Sequence, residues 1–277
     1  MTKDKLYAFG DSFTDKQYRS GETPWIECDF PRWPEVLADN LGLEDRNFGV
    51  SGSSNERIFV TAIDEIIENH EEIDTVCILW TNIWRFYVYG WNFNPGTNLQ
   101  NTNFKGKTEA EIRKLKHLWN EDNLYYDVVN ALYNWHMADH RDAHKLTLMR
   151  FLKNIKTLQK LCKDFNINYY QWSGFDMLYT GRAGSNTVSP YHNNFFRRGR
   201  FVDLAYKYQE LIDFSDMQNP DNTIGWPWVE ALGGITFDDY IRNKNIHSEH
   251  VISLQDSHPN EKGHRLIAEF FIKEINK

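Results

Sequence analysis

With 277 residues, 41% hydrophobic and 25% charged, the chain is long enough for a substantial core and has the composition of a folded globular protein rather than a disordered one. Its net charge of -8 argues against a general nucleic-acid binder, which needs clustered Lys and Arg to neutralise phosphates. The longest apolar runs fall far short of a membrane span, so no membrane partner is expected.

Met1 to Lys5 run straight into a first strand, which leaves no room for a signal peptide and predicts a cytoplasmic protein. Leu6 to Phe9 have the length and type of a buried strand, and Gly10-Asp11-Ser12 ends it. Residues 15–35 read as a loop broken by Gly21, Pro24, Pro31 and Pro34. Arg32-Trp33-Pro34 opens a helix that runs to about Asn40, and Gly42 stops it. Arg46 to Val50 read as a second strand and Ser51 to Asn55 as a small-residue loop. A helix with Ile58, Phe59, Ala62, Ile63, Ile66 and Ile67 along a stripe follows. Asp74 to Trp80 form the best buried-strand pattern in the chain. Strands alternating with helices predict a parallel sheet with right-handed crossovers, each strand ending on the same edge.

After Asn82 the regularity fails. Residues 84–106, rich in aromatics, Asn and Gly, read as a long loop, with helices at about 109–119 and 124–137. His144 to Phe165 is the longest helix, with Leu148, Leu152, Ile155, Leu158, Leu161 and Cys162 on one side. Ile167 to Trp172 is a fourth strand. Residues 173–250 show little periodicity. A loop at Gln255 to Pro259 then leads into a final helix with Leu266, Ile267, Phe270, Phe271 and Ile275 on its buried face. A single domain over 1–277 with an insertion-rich segment at about 84–250 is expected. Cys28, Cys77 and Cys162 are sparse and scattered, which fits buried thiols in a reducing compartment better than a disulfide framework.

Ser12, at the C-terminal end of a parallel strand, stands where open α/β sheets place ligands. It is a candidate nucleophile, or a serine that caps the following turn. A serine nucleophile needs a base, a group that orients the base, and donors for an oxyanion. His258 is the candidate base. Asp256, two residues earlier, shares its side of an extended loop. Gly52 and Ser12 can offer backbone N–H groups, and Asn82 a side-chain amide. Trp84 and Arg85 follow Asn82 directly and are candidate substrate contacts: Trp84 as a stacking platform or as core, Arg85 as an anion site or as the partner of a surface carboxylate. Other chemistry is less well served. His136, His140 and His144 share a helical face, yet His136 lacks the Glu of the His-Glu-x-x-His zinc pattern, so a polar helix face is the favoured reading and no metal is expected. Arg197, Arg198 and Arg200 read as a solvated basic cluster. The Gly-x-Ser-x-Gly elbow, the phosphate loop and the dinucleotide fingerprint are missing.

Taken together these blocks resemble the SGNH (GDSL-like) hydrolases. The first block matches Gly10-Asp11-Ser12-Phe13. The second, an Asn followed five residues later by an oxyanion Gly, matches Asn47 to Gly52. The third, Gly-x-Asn-Asp, is matched only at Asn82 within Trp80-Thr81-Asn82-Ile83. The last matches Asp256-Ser257-His258-Pro259, with Gly263-His264 opening the final helix. The likeness covers roughly residues 5–83 and 250–277. The family's commoner Asp lies three residues before the His, where this chain has Gln255. The resemblance implies a three-layer α/β/α sandwich around a central parallel sheet, flavodoxin-like in order. It also implies ester hydrolysis through an acyl-enzyme without a cofactor, and a short acyl group on a carbohydrate as substrate. The alternatives on the same fold are a non-catalytic sugar-binding or virion-assembly protein, an O-acyltransferase, and a lipid esterase or thioesterase.

Overall fold

The computed structural model describes residues 3–21, 23–83, 85–88, 91–93, 141–177, 205–206, 208–213, 217 and 220–277. Four strands form the central sheet: β1 (Lys5–Gly10), β2 (Glu44–Asn47), β3 (Ile73–Trp80) and β6 (Asn168–Ser173). Their order is β2-β1-β3-β6 and every pairing is parallel. Helix α1 (Trp33–Leu41) links β1 to β2, and α2 (Asn55–Asn69) links β2 to β3. The chain moves outward from β1 to β2 and then back across β1 to β3. Right-handed crossovers therefore put α1 and α2 on opposite faces. Two further helices extend these layers. α3 (Arg141–Asp164) packs beside α2, and the C-terminal helix, α6 (Glu261–Ile275), packs beside α1. The expected α/β/α sandwich is the fold observed.

The element boundaries follow local chemistry. Pro34 occupies the first turn of α1, and Gly42 ends that helix in the left-handed region at φ 67°. The Ser54 hydroxyl accepts from the Arg57 N–H at the start of α2, and the Asn260 side chain accepts from the Gly263 N–H at the start of α6. β3 is buried along nearly its whole length, as a central parallel strand must be. On one face of the sheet, Trp80 and Phe151 from α3 meet at right angles, with ring centroids 5.5 Å apart. On the other, Trp33 of α1 stacks on Phe271 of α6 at 4.9 Å. Of the stripe expected along α3, Leu148, Leu152, Ile155, Leu158 and Cys162 are buried.

Two expectations are corrected. The second strand lies at Glu44–Asn47 rather than Arg46–Val50. It is a short, charged edge strand, a type that hydropathy overlooks and that discourages edge-to-edge pairing. The apolar residues after it still run alongside β1, the Phe48 and Val50 N–H groups donating to the Ala8 and Gly10 carbonyls. The long loop expected over 84–106 contains an antiparallel hairpin, β4 (Phe86–Val88) with β5 (Trp91–Phe93). Its aromatic residues are good strand formers. The helices expected at 109–119 and 124–137, and the cluster at Arg197, Arg198 and Arg200, lie outside the described residues. Between β6 and α6 the described residues include helical segments at 205–206 and 208–213, a 3-10 turn at Glu230–Leu232, and the short helices α4 (Phe237–Asn243) and α5 (His247–His250). The three cysteines are free and buried. No helix among the described residues is long and apolar enough to cross a membrane.

Candidate active site

Strand register brings the separate sequence blocks to one edge. Gly10 pairs with Leu79 on β3, and its carbonyl accepts from the Val50 N–H on the other side. Two residues further along each chain are Ser12, Thr81 and Gly52. Ser12 follows β1 in a tight turn in which the Asp11 carbonyl accepts from the Thr14 and Asp15 N–H groups, while an Asp11 carboxylate oxygen accepts from the Phe13 N–H at 3.0 Å. A glycine is required at position 10. A Cβ there would lie 2.0 Å from the Thr14 Oγ1 and 3.0 Å from the Leu79 carbonyl.

His258 and Asp256 arrive from the opposite end of the sequence, on a loop between α5 and α6 pinched at its neck. Val251 and Pro259 form an antiparallel bridge there. The Asn260 side-chain amide donates to the Glu249 and Val251 carbonyls, both at 2.9 Å, and the Ile252 N–H donates to the His258 carbonyl at 2.8 Å. The loop sets His258 Nε2 2.8 Å from Ser12 Oγ and His258 Nδ1 2.5 Å from Asp256 Oδ1. The His258 backbone N–H also donates to Asp256 Oδ1 at 3.0 Å, so one carboxylate oxygen holds both ring and backbone. Gln255 is exposed and Asp256 buried, which makes Asp256 the carboxylate beside the imidazole.

Sequence reasoning missed Tyr18. Its ring stacks on the His258 imidazole, centroids 4.0 Å apart and planes 23° from parallel. Its hydroxyl lies 2.8 Å from Asp256 Oδ2 and 2.8 Å from His258 Nδ1. Burial and the neighbouring carboxylate push the phenol well above its ordinary range, so it stays protonated and donates to Asp256. Burial alone would raise the Asp256 carboxyl. The hydrogen bonds and charge attraction of His258, with help from the Ser20 hydroxyl, outweigh it and hold the group well below the usual carboxylate range. An ionised Asp256 calls for a proton on His258 Nδ1, and that tautomer leaves the Nε2 lone pair facing the Ser12 hydroxyl. His264, behind this cluster, is driven toward its neutral form by burial and by Arg32. Its Nδ1 accepts from the Trp33 N–H at 3.3 Å.

The candidate oxyanion residues stand at the ends of the strands flanking β1. Gly52 lies in the loop between β2 and α2 at φ +77°, where glycine is favoured. That loop is tied to the Ser12 turn. One Asp15 carboxylate oxygen accepts from the Ser51 N–H at 3.0 Å and from the Ser51 hydroxyl at 2.5 Å, and the Asn47 amide donates to the Thr14 carbonyl at 2.8 Å. Asn82 follows β3 immediately. The residue before it is clamped by Asn55, whose amide oxygen accepts from the Thr81 N–H at 2.9 Å and whose NH2 donates to the Thr81 carbonyl at 2.8 Å. Arg85 is not paired with a surface carboxylate. It lies 2.5 Å from the buried Asp11 carboxylate, directly beside Ser12, with its guanidinium 5.7 Å from the Phe175 ring centre. Trp84 lies outside the described residues, as does the His136/His140 pair. Trp80, which stands where the resemblance expects glycine, is core: its indole N–H donates to Gln171 at 2.8 Å inside the sheet layer. No group of three or more potential metal-ligating side chains occurs among the described residues.

A buried strand end followed by a hydrogen-bonding hydroxyl was legible as a pattern. The supporting shell of Asp15, Tyr18 and Asn55 was not, because each reaches its partner across a turn or between elements. The only signal was composition: Asp, Tyr and Asn in or next to loops that border the matched blocks.

No known protein-family model matches the sequence, and no curated protein does. Solved structures do. A mutant of Axe2, an acetyl-xylooligosaccharide esterase from Geobacillus stearothermophilus, is similar at 14% identity and a TM-score of 0.47, over 100% of this chain and 95% of that one. A protein described as a GDSL-like lipase from Parabacteroides merdae is similar at 14% identity and a TM-score of 0.43, over 100% and 97% of the two chains. LAE5, an alpha/beta hydrolase enzyme from the metagenome of Lake Arreo, is similar at 12% identity and a TM-score of 0.43, over 99% and 96%.

Proposed function

We propose that the protein is a serine-dependent carboxylic ester hydrolase of the SGNH kind, with a short acyl group, O-acetyl above all, on a carbohydrate as its substrate. The observation that carries this reading is the hydrogen-bonded line Ser12 Oγ, His258 Nε2 at 2.8 Å, and Asp256 on His258 Nδ1 at 2.5 Å. His258 takes the Ser12 proton as Oγ attacks the acyl carbon, and the Ser12 N–H, Gly52 N–H and Asn82 amide receive the oxyanion. The imidazolium, held by ionised Asp256, then protonates the departing alcohol. A water molecule, deprotonated by His258, attacks the acyl-Ser12 ester. Breakdown of that adduct releases the acid and returns the proton to Ser12. Arg85, neutralised by Asp11, supports the turn that presents Ser12 more than it offers a free charge to an anionic substrate. The carbohydrate ester rests on the resemblance and on the aromatic run that follows Asn82.

The test is hydrolysis of p-nitrophenyl acetate and butyrate by wild type and by Ser12→Ala, with fluorophosphonate labelling alongside. Turnover and labelling that vanish together in the variant are the expected result, with acetate preferred. A folded wild type that neither turns over nor labels points instead to a binding protein on the same fold. Full activity in Ser12→Ala rules the mechanism out.

A further inference from the structure

Tyr18 does something the proposed chemistry does not require of it by name. It is held from behind by Arg32, a fully buried residue whose guanidinium donates to the Tyr18 carbonyl at 3.0 Å. Arg32 Nε and Nη1 have no hydrogen-bond partner among the described residues. Burying a guanidinium so poorly matched is costly, and what it does do is anchor the Tyr18 backbone, with the Phe30 ring 4.6 Å below it. The Tyr18 ring in turn lies over the imidazole face, and its hydroxyl touches both members of the pair at Asp256 Oδ2 and His258 Nδ1, the ring nitrogen that does not face Ser12.

From this geometry, and resting on the hydrolase reading above, we propose that Tyr18 is a positioning residue that clamps the Asp256–His258 pair. Its ring fixes the plane of the imidazole, and its hydroxyl fixes the second oxygen of the carboxylate. The short two-residue spacing between Asp256 and His258 makes such a clamp useful. Asp256 Oδ1 already serves both the ring and the backbone N–H of His258, so rotation about the carboxylate would loosen both. The Tyr18 hydroxyl on Oδ2 blocks that rotation. The Phe13 ring, steeply inclined to the imidazole with ring centroids 5.3 Å apart, supports it from another side.

The experiment compares wild type, Tyr18→Phe and Tyr18→Leu by steady-state kinetics on p-nitrophenyl acetate, by thermal melting, and by proton NMR of the His258 Nδ1–H resonance at low field. Tyr18→Phe keeps the stacked ring and should lower kcat roughly three- to tenfold, in line with losing one charge-assisted hydrogen bond that supports the reacting groups. Tyr18→Leu loses ring and hydroxyl and should lower kcat on the order of a hundredfold, the cost of a loosened catalytic geometry. KM should change by less than about twofold in both, because Tyr18 faces the nitrogen away from the substrate. The NMR signal should be sharp in wild type, shifted in Tyr18→Phe, and lost to exchange in Tyr18→Leu. The spectrum needs no turnover, so it judges the clamp even if the hydrolase reading fails. An unchanged resonance in folded Tyr18→Leu, or a loss carried by KM rather than kcat, overturns the proposal.

Discussion

Asp256 lies in the loop before α6, two residues from His258 instead of the three commoner in the hydrolases whose motifs the sequence resembles, and its carboxylate is 2.5 Å from the imidazole. Replacing it with Asn keeps the shape but presents an amide, which favours the wrong imidazole tautomer and cannot hold an imidazolium by charge. Asp256→Asn is therefore expected to lose roughly a thousandfold or more in kcat, with the fold intact by circular dichroism. Gln255→Ala, one position earlier and exposed, should leave kcat within about twofold, as surface changes away from such features do. Equal losses in the two variants would contradict the assignment of Asp256. The same residue carries a stability term whose sign follows from its lowered titration. Its contribution is present above the ordinary carboxylate range and fades as acid protonates the folded form.

At the scale of elements, the site depends on how closely the turn after β1 and the loop after β2 approach each other. Gly49 sits where they touch. A Cβ there would lie 2.5 Å from the Thr14 carbonyl carbon and 2.6 Å from the Asp15 nitrogen, which are backbone atoms that cannot step aside. Gly49→Ala should destabilise the protein by about 2–3 kcal/mol, measured by urea unfolding, and should lower kcat as well, because the same turn carries Ser12. Gly21→Ala, in a loop with open space around the position, is the control and should shift stability by less than about 0.5 kcal/mol. Much of this layer was legible from residue patterns. Pro34 and Gly42 mark the ends of α1 through local chemistry that the chain carries with it. The edge strand β2 was misplaced because Glu44-Asp45-Arg46-Asn47 carry no hydropathic signal. Only pairing with β1 makes them a strand.

The whole molecule responds to pH through groups the site does not use. Asp45, on that edge strand, has a buried Oδ1 without a hydrogen-bond partner among the described residues. Burial first, then the nearby Glu35 carboxylate, raise its pKa to about 6. A carboxyl whose folded pKa lies above its unfolded one favours the folded state while protonated, and that stability is lost as pH rises from about 4 toward 6. Asp45→Asn should raise stability at neutral pH by about 1–2 kcal/mol and make no difference near pH 4, by urea unfolding at the two pH values. A gain of the same size at both would assign the effect to packing instead.

At this scale the division between sequence and structure is also clearest. The resemblance implied the sandwich, while order along the chain and hydrophobic pattern were enough for a parallel sheet, for the buried β3, for the helix that Pro34 opens and Gly42 stops, for the helices carrying the Ile58–Ile67 and Leu266–Ile275 stripes, and for Ser12, Gly52 and Asn82 at strand ends on one edge. Those properties are local or periodic, and a parallel sheet with right-handed connections leaves few ways to assemble them. Only the folded chain could show that His258 Nε2 faces Ser12 across 246 residues of sequence, that Arg85 is bound to Asp11, that Trp80 is core, and that Tyr18 covers the imidazole. Side-chain partnerships between distant elements depend on distances of a few ångströms set by packing, and spacing along a sequence carries no information about those.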